Sequence, residues 1–282
     1  MGIANRDTLR AMGRPLPQAL TIAGSDSGGG AGIQADIKTM SALGVYAASV
    51  ITAITAQNTV EVREAMELPP ALVRAQIEAV LDDLDIAAAK TGMLSSAAIV
   101  EVVASALAAR RFTALVVDPV MISKSGHRLL RDDAVESLRR ALLPLALVAT
   151  PNLHEAALLA GGEIRSLADM RDAARAIAAM GPRAVVVKGG HSAFAPAVDV
   201  LFEGGEALEL RPEGPVVRVS VHGTGCTFSA AIAARLARGD TVREAVSAAK
   251  RYVTEAIRNA PRVGRGHPPA HHFYFLDERE EA

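Results

Sequence analysis

Residues 97–119 read AAIVEVVASALAARRFTALVVDP. From Ala97 to Ala109 the bulky apolar positions (Ile99, Val102, Val103, Leu107) recur at helical spacing, and the pattern stops at Arg110-Arg111. After a short break, 114–117 is an unbroken apolar run ending in Val-Val, a buried strand closed by Asp118-Pro119. The same helix-then-strand unit recurs in both directions. Helices are expected over 31–43, 72–84, 134–142 and 168–180, and strands over 19–23, 47–55, 86–89, 145–149 and 184–187. Strands separated by helices join as βαβ crossovers, so the reading is an α/β fold with a doubly wound, mostly parallel sheet and helices on both faces. From 196 to 221 the chain turns instead into short strands with Gly204-Gly205 and 212–215 as turns, a short antiparallel edge on the same sheet. Helices over 224–237 and 242–260 close it. No repeat or linker interrupts 19–282, which reads as one domain preceded by a flexible extension, 1–18.

The bulk properties agree. Half of the 282 residues are hydrophobic, but only 3% are aromatic and none is Trp, so the core must be built from Ala, Val, Leu and Ile. A formal net charge of −1 leaves no basic footprint for nucleic acid. The mildly basic Arg262, Arg265 and His267 read as a solvated end. A single cysteine excludes an internal disulfide and suits a reducing, cytoplasmic setting. The longest apolar stretch, 141–149, is broken by Pro144 and is about half of what a bilayer requires. Residues 1–18 carry Arg6, Arg10 and Arg14 with no apolar run behind them, unlike a signal peptide.

In open parallel sheets ligands bind beyond the C-terminal ends of the strands. The loops there hold the unusual polar residues. Val221-His222-Gly223-Thr224-Gly225-Cys226 precedes an apolar helix. Its glycines let amides turn toward one point at a helix start, suited to phosphate or a developing oxyanion; the plain alternative is a turn with Thr224 as N-cap. Cys226 is either a small buried hydrophobe or a thiol tuned by those amides. The segment 24–32 fails the dinucleotide fingerprint, because Ile33 stands where the third glycine belongs, and fails the P-loop, because no Lys-Ser/Thr follows. Gly24-x-Asp26-x-Gly28 matches a nucleophile elbow only in outline. The remaining readings are a backbone-exposing loop for a flat ligand or an ordinary turn. Gln57 carries a donor and an acceptor that match an aminopyrimidine, or it caps a turn. Lys188 can meet phosphate as a point charge or be solvated. Asn152-x-x-Glu155 places two oxygen ligands on a helix's first turn, for hydrated Mg²⁺ or for capping. His267, His271 and His272 lack metal-ligand spacing and are assigned to the surface.

Taken together, AGSDSGGGAGIQADIKT (23–39), TAITAQNT (52–59), KTGML (90–94), DPVMISKSG (118–126), TPNLHE (150–155), KGGH (188–191) and HGTGCT (222–227) resemble the ribokinase-like superfamily. Within it they resemble the bifunctional hydroxymethylpyrimidine/phosphomethylpyrimidine kinases of thiamine biosynthesis. The resemblance covers about residues 20–273. It implies ATP and Mg²⁺, a small-molecule substrate phosphorylated twice, a cytoplasmic location and a homodimer. By motif position it implies that Gln57 reads the aminopyrimidine, with Asp36, Gly24, Met93 and Val120 around it. It implies that Cys226 stands where other superfamily members have a catalytic Asp, with Gly223, Thr224 and Gly225 cradling the phosphoryl group. Lys188, Lys250 and Asp118 fall on the nucleotide side, and Asn152 and Glu155 on the magnesium motif. Ser220-Val221, Val60-Glu61 and Ser123 depart from common family residues and bear on rate and breadth. Two competing readings are a pyridoxal/pyridoxine kinase and a non-catalytic pyrimidine-binding protein on the same fold.

Overall fold

The structure, a computed structural model, describes residues 15–121, 132–190, 192–216 and 220–277. Most of the 1–18 extension, Ser123 with the rest of 122–131, His191 and 217–219 lie outside the described residues. The strands are β1 (Gln18–Asp26), β2 (Tyr46–Gln57), β3 (Val62–Glu67), β4 (Ala88–Thr91), β5 (Leu115–Val117), β6 (Val148–Ala149), β7 (Ala184–Val187), β8 (Asp199–Glu203) and β9 (Glu206–Leu210). Described residues thus form one nine-stranded sheet in the order β3-β2-β1-β4-β5-β6-β7-β8-β9. From β2 to β7 every neighbouring pair is parallel. The edges, β3 on one side and β8-β9 on the other, are antiparallel.

The helices are α1 (Gly32–Ala42), α2 (Pro70–Asp83), α3 (Ala97–Ala109), α4 (Asp132–Ser137), α5 (Leu153–Ala160), α6 (Leu167–Ala178), α7 (Thr224–Ala237), α8 (Val242–Arg258) and α9 (Tyr274–Asp277). Alternation along each strand splits the core in two. Leu115, Val117, Val185 and Val187 pack with Val73, Ile99, Leu138, Leu159 and Met170 beneath α2–α6. Val116, Ala184 and Val186 pack with Met40, Phe228 and Val246 beneath α1, α7 and α8. Both faces of β5 and β7 are sealed, which is why their sequences are apolar without alternation. Residues 227–234 of α7 are all buried, and Ala230, Ala231, Ala233 and Ala234 have no exposed surface. Only small side chains let a helix sit that centrally. This explains the Ala-rich, aromatic-poor composition and places the start of α7 at the middle of the sheet's C-terminal edge.

Several local expectations shift. The helix expected over 134–142 is α4 followed by a π-helical turn, Leu138–Leu142, and the strand over 145–149 shrinks to β6 behind a 3₁₀ turn, Leu143–Leu145. Pro144 supplies no amide to continue a helix. β4 lies two residues later than the apolar run suggests, because its third residue is a fully buried lysine, Lys90. β3 carries no apolar alternation and is mostly exposed. It exists because Asn58 Oδ1 accepts the amides of Val60 and Glu61 and folds the chain back on β2. The sheet therefore has an antiparallel strand at each edge rather than at one.

His272 is a correction. It is buried, not on the surface, at 4% exposure. Its Nε2 lies 3.2 Å from Thr227 Oγ1, and the Tyr252 hydroxyl donates to its carbonyl at 2.7 Å. Burial, with Lys38 and His271 adding to it, pushes the imidazole pKa down from 6.5 to about 4. The unfolded chain then takes up a proton that the folded one refuses, so stability falls as pH drops through that window. Urea midpoints at about pH 7.5 and pH 4.5 should show a loss of about 2–3 kcal/mol from this group, largely absent in His272→Gln. Equal acid sensitivity of both proteins would contradict the assignment.

Candidate active site

The glycine loop after β1 is shaped by one carboxylate. Asp26 accepts the amides of Gly28, Gly30 and Ala31 at 2.8–3.0 Å, and its Oδ2 lies 3.3 Å from His222 Nε2. Burial alone would raise its pKa, but His222 and those amides hold it below the ordinary carboxylate range. With its oxygens committed in this way, Asp26 is a structural clamp and not a nucleophile. The loop in turn receives the start of α7. Gly223 has φ +76°, and a Cβ there would lie 1.8 Å from the Gly30 carbonyl oxygen. Gly223, not Thr224, is the N-cap, and no side chain caps this helix. In this it is like α1 and α2, whereas α3, α5, α6 and α8 are capped by Ser96, Asn152, Ser166 and Thr241. The first-turn amides of α7 therefore open toward a cavity of about 670 Å³ that Gly223, Thr224, Gly225 and Cys226 help to line.

Beside the helix start stands a charge cluster from the ends of β5, β6 and β7. Lys188 Nζ meets Asp118 Oδ1 at 2.7 Å. Asp118 also accepts Thr150 Oγ1 on one oxygen and Ser229 Oγ, from α7, on the other. Burial would raise its pKa, but Lys188 and Lys90 hold it down. A Cβ on Gly225 would lie 3.4 Å from Lys188 Nζ, so the lysine sits against the helix start. Asn152 and Glu155 form a reciprocal capping box on α5. Burial, reinforced by Asp118 and opposed by Lys188, pushes the Glu155 pKa up to about 7. Lys250 lines the same cavity and reaches Asp199 Oδ2 and the Ala197 carbonyl, both at 2.6 Å. Asp199 Oδ1 accepts the Gly189 amide, tying the turn after β7 to β8.

The residues expected to read the acceptor lie behind the glycine loop. Gln57 Nε2 is 3.0 Å from His222 Nε2. Gly24 is covered by Met93, whose Cε would lie 2.3 Å from a Cβ on that glycine. Asp36 is fully buried, accepting Thr21 Oγ1 at 2.6 Å and Lys90 Nζ at 2.8 Å. Val120 lines the main cavity; Gln57, Gly24, Met93 and Asp36 do not. Cys226 joins the two regions. It lines the cavity and feels the charges of Lys90 and Asp36. Burial raises its pKa to about 11 against the pull of Lys90, so the amides do not by themselves yield a thiolate.

The structure thus brings Gly223, Thr224, Gly225, Cys226, Lys188, Asp118, Asn152, Glu155, Lys250 and Val120 to one cavity. Sequence reasoning missed Asp26, Asp199, His222 and Lys90 as organising groups. A lysine directly after the apolar run 86–89 was the available signal for Lys90. Among the described residues no group of three or more His, Cys, Asp or Glu side chains is set to hold a metal, and no helix is long and apolar enough to cross a membrane.

A mostly parallel sheet wrapped on both faces, with an uncapped helix start facing a lysine and two carboxylates, defines a ribokinase-like small-molecule kinase. The pyridoxal kinase of Bacillus subtilis, solved as an ADP complex, matches with TM-score 0.86 at 39% identity over 93% of this chain and 99% of that one. A phosphomethylpyrimidine kinase from Clostridium difficile matches with TM-score 0.76 at 45% identity, over 85% and 99%. The phosphomethylpyrimidine kinase family model covers residues 26–271. The hydroxymethylpyrimidine/phosphomethylpyrimidine kinase of Rhizobium meliloti is 54% identical over 260 residues, 91% of this chain and 97% of that protein. The thiamine biosynthesis bifunctional protein ThiED of Geobacter sulfurreducens is 48% identical over 94% of this chain, which spans only 54% of that protein's length. The chain belongs to the phosphomethylpyrimidine kinase family, as its motifs suggested.

Proposed function

We propose that the protein uses ATP to phosphorylate 4-amino-5-hydroxymethyl-2-methylpyrimidine and then its monophosphate, so acting as a hydroxymethylpyrimidine/phosphomethylpyrimidine kinase of thiamine biosynthesis. The observation that carries the reading is the uncapped start of α7, packed on Gly30, with Lys188 beside it in the cavity wall. In-line phosphoryl transfer passes through a loose transition state, so most of the acceleration comes from positioning and charge neutralisation. The amides of Thr224, Gly225 and Cys226 receive the migrating phosphoryl oxygens, and Lys188, held by Asp118, meets the phosphate chain. Lys250, fixed by Asp199, shapes the nucleotide end. Gln57 reads the aminopyrimidine, and Asp36, Gly24, Met93 and Val120 bound the acceptor side. Cys226 accepts the alcohol proton through its thiolate fraction in the first step. In the second step the nucleophile is already an anionic phosphate and needs no base.

Asn152 and Glu155 fit a hydrated Mg²⁺. Their capping box occupies direct ligand positions and favours contact through water, while a cation relieves the burial that holds Glu155 near neutrality. When bound, the metal would supply charge neutralisation to the phosphates. Residues 19–282 act as one kinase domain, as a cytoplasmic homodimer.

ADP release with each pyrimidine and with pyridoxal tests the assignment. Turnover of both pyrimidines, with kcat/KM for pyridoxal at least about tenfold lower, is expected. Turnover of pyridoxal alone would move the protein to the pyridoxal kinases, two of which match in structure at 35–39% identity. No ADP release with any of the three would leave only a binding role.

A further inference from the structure

His222 stands between the helix start and the acceptor side, and the mechanism above gives its ring no task. It directly precedes Gly223 and lines the cavity, and its backbone amide donates to the Pro268 carbonyl at 2.8 Å. The ring lies against Gly30, where a Cβ would be 2.7 Å from His222 Cδ2. Its Nε2 has two polar neighbours, Asp26 Oδ2 at 3.3 Å and the Gln57 amide at 3.0 Å.

A ring nitrogen has one in-plane position, which holds either a proton or a lone pair. Asp26, whose pKa burial raises but His222 and the loop amides bring down overall, is a carboxylate and can only accept. Nε2 therefore carries the proton, in the imidazolium and in the neutral Nε2–H tautomer alike. The same proton meets Gln57. An NH₂ group at the near end of that amide would set donor against donor. The two ends of an amide have one shape, so exchanging them leaves the packing unchanged, and the oxygen is the end that answers His222. The far end, 3.3 Å from Thr55 Oγ1, is then the NH₂ group. Thr55 gives its own proton to the Ser25 carbonyl at 2.8 Å, so its oxygen can accept. Only this order matches every donor to an acceptor. Nor can the Gln57 backbone shift to undo it, since Ser27 Oγ accepts its amide at 2.8 Å and donates to its carbonyl at 2.7 Å. Each end of the side chain keeps one further position, an N–H and a lone pair, for a ligand.

We propose that His222, aimed by Asp26, is a specificity-determining positioning residue: it locks the Gln57 amide in one order of donor and acceptor, so that the site takes a 4-aminopyrimidine and rejects the 4-oxo analogue. The aminopyrimidine presents an exocyclic N–H beside a bare ring nitrogen. Its 4-oxo analogue presents the reverse, a bare oxygen beside a ring N–H. A glutamine that can turn over serves either edge, whereas a locked one leaves the wrong edge with facing donors and facing lone pairs. The proposal rests on reading Gln57 as the group that meets the pyrimidine.

Calorimetric affinities of the full chain for 4-amino-5-hydroxymethyl-2-methylpyrimidine and its 4-oxo analogue test it, with kcat/KM for both alongside. Wild type should favour the amino compound by about 10²-fold or more. His222→Leu should cut that ratio at least about tenfold, chiefly by improving the 4-oxo compound, and His222→Gln, which keeps an N–H donor, should restore much of it. If His222→Leu does not fold, His222→Asn, whose shorter side chain draws the donor back from Gln57, takes its place. A ring that only supports the fold would weaken both ligands alike and leave the ratio unchanged, which overturns the proposal. Gln57→Ala separates the two readings. A ratio that collapses in Gln57→Ala but survives in His222→Leu removes the lock and keeps Gln57 as reader; a ratio that survives in Gln57→Ala removes both. Because binding is measured without ATP, the expected ratios in a protein that transfers no phosphate would sustain the lock while the kinase assignment fell.

Discussion

Cys226→Ala slows phosphorylation of the hydroxymethyl group by about 10²–10⁴-fold and leaves phosphorylation of the monophosphate within about tenfold of wild type. The two steps share the nucleotide, the cradle at the start of α7 and the Lys188–Asp118 pair, so a defect in any of those lowers both. Only the acceptor's need for a base differs. An alcohol must lose its proton as the new O–P bond forms, whereas a phosphate oxygen at neutral pH is already anionic. The thiol lies against the cavity but is held mostly protonated, with a pKa of about 11. The alcohol step should therefore rise with pH across the neutral range in wild type and lose that rise in the variant. Single-turnover rates for each acceptor measure the split. Equal losses in both steps would mean that Cys226 only spaces the helix start.

Gly223→Ala is expected to impair both steps together, by about 10²-fold. The residue sits at φ +76°, where a Cβ costs about 1 kcal/mol or more in strain. That Cβ would also lie 1.8 Å from the carbonyl oxygen of Gly30. The glycine loop cannot yield easily, because Asp26 fixes it through three amides. The start of α7 must move instead, and a displacement of about 1 Å spoils alignment between amides and phosphoryl group. Gly162→Ala, away from the cavity and with nothing within 4 Å of its Cβ, serves as the control. Steady-state rates for both acceptors, with thermal midpoints alongside, decide the matter. A Gly223→Ala enzyme within about threefold of wild type would remove this turn from the mechanism.

The parallel sheet was legible because its central strands are buried on both faces and so spell themselves as apolar runs between amphipathic helices. β3 was not, because an exposed edge strand such as 62–67 has no face to hide and carries charges on both sides. The helix start at Gly223 was legible through its glycines and the apolar helix behind them. The groups that hold it were harder to see. Asp26 matches a nucleophile elbow only in outline, and nothing beside it in sequence announces that its carboxylate holds three loop amides. His222 joins Gln57 to Asp26 across nearly two hundred residues, and Lys90 is defined by the Asp36 that meets it. Such partnerships exist only after folding. His272 misled for the same reason, since nothing around it in sequence announces the pocket beneath Thr227.

The contact between Gly30 and Gly223 has a bearing on how the protein is made. Asp26 and His222 are 196 positions apart, and Thr59 is gripped by the amide of Gly266, 207 positions away. β1 must wait for segments about two hundred residues further along the chain before its loop acquires a floor. The cleft then closes only after the segment around residue 266 has been made, and any fragment that stops before residue 226 carries half a cleft with no Cys226 and no cradle.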